Sequence, residues 1–312
     1  MTNSRYDPFT PGRYPVGVRH LRLRDAARDR EFPAEIRVPA KSGPYPLVVY
    51  SHSSGGNRQS ATFLNTHLAS HGYAVAALDH SELVAPELAR TESASTEQRA
   101  ARIAAIVAAR VPDVRFLIDY VAAQPEFDVN RTGLVGHSFG GWTVLAAANA
   151  DARVAGVVAH APGGATAPQP GVLPLTLSFD ASRTVPTLYL AAELDVPIPP
   201  AAVRDVFDRT PWPKQMVTLQ RADHQHFVDD VEGTHDAVRI ASLPDEAAWM
   251  VAATRPMTEL CSGVQAHAFV RALTLAHLDA TLRANPDAAE FLADGLGDRL
   301  AAHGVAAVVA DS

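Results

Sequence analysis

Apolar and basic positions alternate toward the end of residues 16–24, and apolar and polar positions alternate again through 32–38. That is the two-residue period of half-exposed strands, and the polar stretch 25–31 between them reads as a hairpin turn. Residues 45–50 and 73–78 are short, almost wholly apolar runs, the pattern of strands covered on both faces. Between them, Phe63, Leu64, His67 and Leu68 recur at helical spacing up to Gly72, which serves as a C-terminal cap. Further on, 132–135, 154–159, 186–192 and 216–219 read as strands. Helical patterns fall at 113–123, 140–150 and 201–208, with Asp113 as the N-cap of the first. Residues 161–174 are loaded with Gly and Pro and read as a loop. Beyond about 233 the chain is mostly helical, with an apolar face from Val264 to Leu282 that includes Phe269, Val270, Leu273 and Leu278.

Strands that alternate with helices imply an α/β fold, a mostly parallel sheet covered by helices on both faces. The turn-linked first pair makes the N-terminal edge antiparallel. Residues 81–112 break the alternation. They are rich in Ala, Glu and Arg, carry Ile103, Ile106, Val107 and Val111 at helical spacing, and read as a helical insertion. With no polar linker or internal repeat, residues 1–312 are expected to form a single domain, with 233–312 as its mostly helical C-terminal part.

Composition narrows the chemistry. Of the 312 residues, 47 % are hydrophobic and 20 % charged, a globular balance. The net charge of −7 does not suit a nucleic-acid groove. A single cysteine, Cys261, rules out an intrachain disulfide and a cysteine-based zinc site. No apolar run reaches the roughly 18 residues of a membrane span. The polar, turn-rich N-terminus lacks a signal-peptide layout, which favours the cytoplasm; a secreted form that has shed a leader is the other reading. Nothing in the pattern sets an oligomeric state.

Gly136-His137-Ser138-Phe139-Gly140-Gly141 matches G-x-S-x-G where a buried strand meets a helix, the context of a nucleophile elbow. The serine must stand on a sharp, strained turn, and Gly136 and Gly140 remove side chains that would collide there. The competing reading is a Ser-Gly turn that merely caps a helix. A serine nucleophile needs a base, and the base an orienting acid, in chain order Ser, Asp/Glu, His. Glu193 and Asp195 follow the strand at 186–192. Asp195 lies beyond the turn and is better placed to reach across the sheet edge. Residues 221–227 offer His224 and His226 as the base. Their i, i+2 spacing could suggest a metal, but no further ligand cluster or H-E-x-x-H pattern accompanies them, so no metal or cofactor is expected. An oxyanion hole would use the N–H of Phe139 and a second donor from the loop His52-Ser53-Ser54-Gly55-Gly56. That loop lacks the spacing and lysine of a nucleotide-binding P-loop.

Four blocks carry a resemblance: Tyr45 to Gly56, Leu68 to Ala77, Gly136 to Gly141, and His224-Gln225-His226-Phe227-Val228-Asp229. With them the chain resembles the α/β-hydrolases, in the branch of platelet-activating-factor acetylhydrolase, predicted dienelactone hydrolases and cutinase-like polyester hydrolases. The resemblance implies Ser138 as nucleophile, Asp195 as acid, His224 as base, and Ser54 as the second oxyanion donor. Ser53 stands where the family often has glycine, a position that strains serine if it needs a positive φ. The expected activity is carboxylic-ester hydrolysis on a small-molecule or polymeric ester. Lactone, thioester or polyester cleavage and perhydrolysis by the same triad are alternatives, as is a non-enzymatic scaffold. The segments 81–112 and 161–174, with Ser53, His137 and Trp142, are expected to shape the substrate pocket.

Overall fold

The alternating N-terminal segments pair as the antiparallel strands β1 (Val16–Asp25) and β2 (Arg30–Pro39) in a computed structural model that describes residues 6–91, 94–180 and 182–310. The apolar runs become β3 (Tyr45–Ser51) and β4 (Ala74–Leu78). They are followed by β5 (Phe127–His137), β6 (Val154–His160), β7 (Thr187–Ala192), β8 (Lys214–Leu219) and β9 (Ala307–Val309). All nine lie in one sheet in the order β1-β2-β4-β3-β5-β6-β7-β8-β9. Pairing from β4 to β8 is parallel, while β1, β2 and β9 are antiparallel to their neighbours. The last of these closes the far edge with residues expected within a helical region.

The helices are α1 (Thr62–Ser70), α2 (Ser81–Val84), α3 (Thr96–Ala122), α4 (Phe139–Ala150), α5 (Pro200–Arg209), α6 (Val231–Arg239), α7 (Ala248–Ala253), α8 (Gly263–Leu282), α9 (Pro286–Leu292) and α10 (Leu296–Ala301). Because successive strand residues point to opposite faces, Val48 and Tyr50 enter one core with Leu64 and Leu68 of α1 and Phe269 and Leu273 of α8. Leu47 and Val49 enter the other, with Leu117 and Ile118 of α3, Val144 of α4 and Val206 of α5. Val264, expected on the apolar face of α8, is exposed at its first turn.

The insertion differs from expectation. No helix begins at Asp113. Instead α3 runs unbroken from Thr96 to Ala122, and Ser95 caps it in a reciprocal pairing with Gln98. In Val111-Pro112-Asp113 the proline reads as a stop and the aspartate as a cap, yet Pro112 is carried inside the helix. Asp113 is fully buried, its carboxylate taken by Ser81 N (2.8 Å), Ser81 Oγ (2.7 Å), Arg28 Nη1 (2.6 Å) and His80 Nδ1 (3.2 Å). Tertiary partners that are distant in sequence keep the helix going where local signals end it.

Direction reverses at β3. Its chain continues to β4 on one side, while β5 lies on the other. In an open α/β sheet, the crevice at the carboxyl ends of such a pair is where ligands bind. Ser51 and Gly136 face each other there, at the last register position of β3 and β5.

Candidate active site

The end of β5 and the start of α4 form a tight elbow. Ser138 adopts φ 59° and ψ −115°, a conformation costly for a residue with a side chain. Its surroundings over-determine it. Ser138 N–H donates to His160 O (2.9 Å), and Ser138 O accepts from Trp142 N–H (3.1 Å) and Gly163 N–H (3.2 Å). A Cβ on Gly136 would lie 2.3 Å from Gly140 O, and one on Gly140 would lie 2.0 Å from Ser51 O. Both glycines are therefore required by close backbone approach.

The structure brings together three of the expected residues. Ser138 Oγ stands 2.9 Å from His224 Nε2, and His224 Nδ1 stands 2.7 Å from Asp195 Oδ2. Asp195, on the loop after β7, is buried, and its Oδ1 accepts from Ile198 N–H (2.7 Å). His224 opens a short 3-10 turn after β8. Burial works against charge on this imidazole, but the Asp195 carboxylate facing it outweighs that penalty and raises its pKa. Glu193 is turned elsewhere and accepts from Arg221 N–H (2.7 Å).

His226 does not join His224. Its Nδ1 accepts from Asp223 N–H (3.0 Å) and lies 2.8 Å from Asp223 Oδ1, its Nε2 donates to Cys261 O (3.0 Å), and His235 meets Asp223 Oδ2. Burial opposes its charge, but Asp223 and Cys261 O raise its pKa to about 10. These buried contacts anchor the turn that carries His224. Among the described residues, no group of three or more His, Cys, Asp or Glu side chains is placed to hold a metal ion.

Residues 53–56 form a turn closed by Gly56 N–H donating to Ser53 O (3.1 Å), with the left-handed position at Gly55 (φ 75°). Ser53 has no positive φ, so serine is accommodated where the family often has glycine. Ser53 O also accepts from His52 Nδ1 (2.8 Å), while His52 Nε2 accepts from His80 N–H (3.2 Å). These bonds set the tautomer of His52. Burial and the nearby His80 and Arg110 push its pKa far down, so the ring is neutral. In a trans peptide the C=O and N–H point oppositely. Holding Ser53 O on one side thus aims Ser54 N–H to the other. Among the described residues, neither Ser54 N–H nor Phe139 N–H is taken up by a hydrogen bond.

A cavity of about 460 Å³ opens beside these groups, with Ser53, Ser54, His137, Ser138 and His224 in its wall. His137 is buried with its ring 4.7 Å from that of His224, and burial keeps it neutral. Trp142 lies outside this lining. Its indole N–H donates to Thr176 O (2.8 Å), and its ring packs with Phe139 and Leu175. Among the described residues, the insertion 81–112 contributes nothing to the lining, and the loop 161–174 contributes Gly171. The apolar wall comes instead from Val238, Ala241, Leu243, Pro244, Ala247 and Met250 of the α6–α7 segment. The sequence pattern marks this segment only as mostly helical. Its signal was a set of large apolar residues, Ile240, Leu243 and Trp249, that stay exposed in an otherwise polar stretch.

A strained serine elbow at the switch point of a mostly parallel sheet, with an imidazole and a buried carboxylate in line, defines the protein as an α/β-hydrolase in fold. The family model named Chlorophyllase matches residues 4–180, more than half of the chain, and the protein belongs to that family. It is also similar to the platelet-activating factor acetylhydrolase of Cavia porcellus, 22 % identical over 232 residues, which is 63 % of this chain and 51 % of that protein. The chain thus spans about half the length of this curated relative. A solved ferulic acid esterase from Streptomyces cinnamoneus shares the fold, with a TM-score of 0.65 at 22 % identity over 89 % of this chain and 93 % of that one.

Proposed function

We propose that the protein is a serine hydrolase of carboxylic esters. The observation that carries this reading is the aligned set Ser138 Oγ, His224 and Asp195 at 2.9 Å and 2.7 Å, set beside two unpaired backbone N–H groups. In this reading neutral His224 takes the Ser138 proton as Oγ attacks the ester carbonyl. The N–H groups of Phe139 and Ser54 hold the oxyanion. His224 then protonates the departing alcohol, and an acyl-enzyme remains. Water enters, His224 takes its proton, and collapse of the second tetrahedral species frees the acid and restores Ser138. Asp195 holds the imidazole in the required tautomer and stabilises its charged form. Among the similar proteins, names that read acetylhydrolase and esterase agree with this chemistry.

The cavity also points to a substrate class. Among the described residues, no Lys or Arg lines it, and its acidic residues are Asp223, which is turned to His226 and His235, and Glu246. An anionic substrate would find no counter-ion, so neutral esters with a modest apolar group fit best. A lactone or thioester would use the same groups. Ser138→Ala should lower kcat on p-nitrophenyl esters by roughly 10⁵–10⁶ and abolish labelling by a fluorophosphonate. Retained turnover in that variant would sink the proposal. A panel of acyl lengths beside a lactone, a thioester and a polyester oligomer decides the substrate class.

A further inference from the structure

The two N–H groups assigned to the oxyanion hole belong to different elements, the turn after β3 and the first residue of α4. Something must fix one relative to the other. The largest fully buried side chain among the described residues, Arg110 of α3, touches both elements. Its Nη1 donates to His52 O (2.7 Å), on the chain that leads into Ser53 and Ser54. Its guanidinium lies over the Phe139 ring, 4.1 Å from the ring centre. Its Nη2 donates to the carboxylate of Glu82, on α2. Neither Arg110 nor Glu82 lines the cavity beside Ser138.

The same loop is held from a second direction. His80 gives its N–H to His52 Nε2, its ring Nε2 meets Ser51 Oγ (2.8 Å), and its Nδ1 meets Asp113 (3.2 Å). That chain of Ser51, His80 and Asp113 is buried throughout, so it has no access to substrate. Arg110 and Asp113 of α3, with Ser81 and Glu82 of α2, therefore bear on the loop from behind. A buried guanidinium is a poor device for stability alone, since desolvation offsets its pairing, and here Nε lacks a partner. Its planar fork and flat face can nevertheless hold a carbonyl, a carboxylate and an aromatic ring at once, which lysine cannot.

We propose that Arg110 is a positioning residue for the oxyanion hole, clamping the His52 carbonyl and the Phe139 ring at a set separation so that the Ser54 and Phe139 N–H groups converge on one oxygen. This rests on the ester-hydrolase reading above. If that reading fails, Ser138→Ala stays active. If only this inference fails, Ser138→Ala is dead while Arg110 variants work normally.

The test uses the full chain carrying Arg110→Lys, Arg110→Met or Glu82→Gln, each checked for folding by circular dichroism. Misplacing a reacting group by about 1 Å costs on the order of a hundredfold. Folded Arg110 variants should therefore lose about tenfold to a hundredfold in kcat, with KM within about threefold of the parent. Affinity for a trifluoromethyl ketone, whose tetrahedral adduct places an oxyanion in the hole, should fall by the same factor as kcat/KM. A kcat within threefold of the parent, a loss confined to KM, or a kcat loss without a matching loss of adduct affinity overturns the proposal. Should both Arg110 variants fail to fold, Glu82→Gln decides. It leaves Arg110 in place and loosens one arm, so several-fold lower kcat with weaker adduct binding supports the clamp, and parental values overturn it.

Discussion

At the scale of single residues, the site depends on how burial and charge are balanced around His224. In the proposed mechanism it must be neutral to accept the Ser138 proton, so activity should rise with pH through its pKa. Asp195 holds that pKa above the ordinary imidazole value against the opposing effect of burial. Replacing Asp195 with Asn removes the attraction and leaves the burial penalty. The acid limb of the kcat/KM profile should then move to lower pH, while kcat falls by about 10⁴ through loss of the correct tautomer. A profile measured between pH 5 and 9 checks both, and an acid limb that stays in place would separate Asp195 from His224. The same balance explains why two histidines two residues apart differ. The first faces Ser138 and a single carboxylate, and the second is held by Asp223 at Nδ1 and by Cys261 O at Nε2.

At the scale of elements, roles expected of one segment fall to another. The insertion 81–112, expected to wall the pocket, instead backs the loop at His52 through Arg110. The pocket's apolar wall belongs to the α6–α7 segment. Substitutions there should change chain-length preference without harming the catalytic groups. Met250→Trp should shift the preferred acyl or alcohol group to shorter chains, by about tenfold for each excluded pair of methylenes, and Leu243→Ala should shift it to longer ones. A series of p-nitrophenyl esters from acetate to decanoate reads the change, and an unaltered series would place the chain elsewhere. Short amphipathic helices that line a cavity carry the same pattern as short helices that cover a surface, and only their placement separates the two.

At the scale of the whole molecule, α8 and β9 tie the C-terminal part to the hydrolase core. Phe269, Val270 and Leu273 are buried against the same face of the sheet as Val48 and Tyr50, and β9 pairs with β8. We infer from this that residues 1–312 unfold as one cooperative unit. Calorimetry should give a single transition, and Phe269→Ala should lower stability by about 3–5 kcal/mol and move that transition as a whole. Two separable transitions, with only one shifted, would divide the chain. No helix among the described residues is long and apolar enough to cross a membrane.

Much of this architecture was legible in the order of residues. Strand and helix periods are local, so the parallel core, the antiparallel first edge and the elbow at Ser138 follow from patterns a few residues long. The glycines flanking Ser138 could be read because their reason is steric and close by. What only the tertiary structure decided involves partners far apart in the chain. It paired His224 rather than His226 with Ser138, 86 residues away. It carried α3 through Pro112 because Ser81 and Arg28 meet Asp113 there. It also put the positive φ of the turn at 53–56 on Gly55 and gave the pocket wall to α6–α7. Each of these depends on which groups are buried together, and burial sets the strength of charges and hydrogen bonds in ways a linear pattern does not contain.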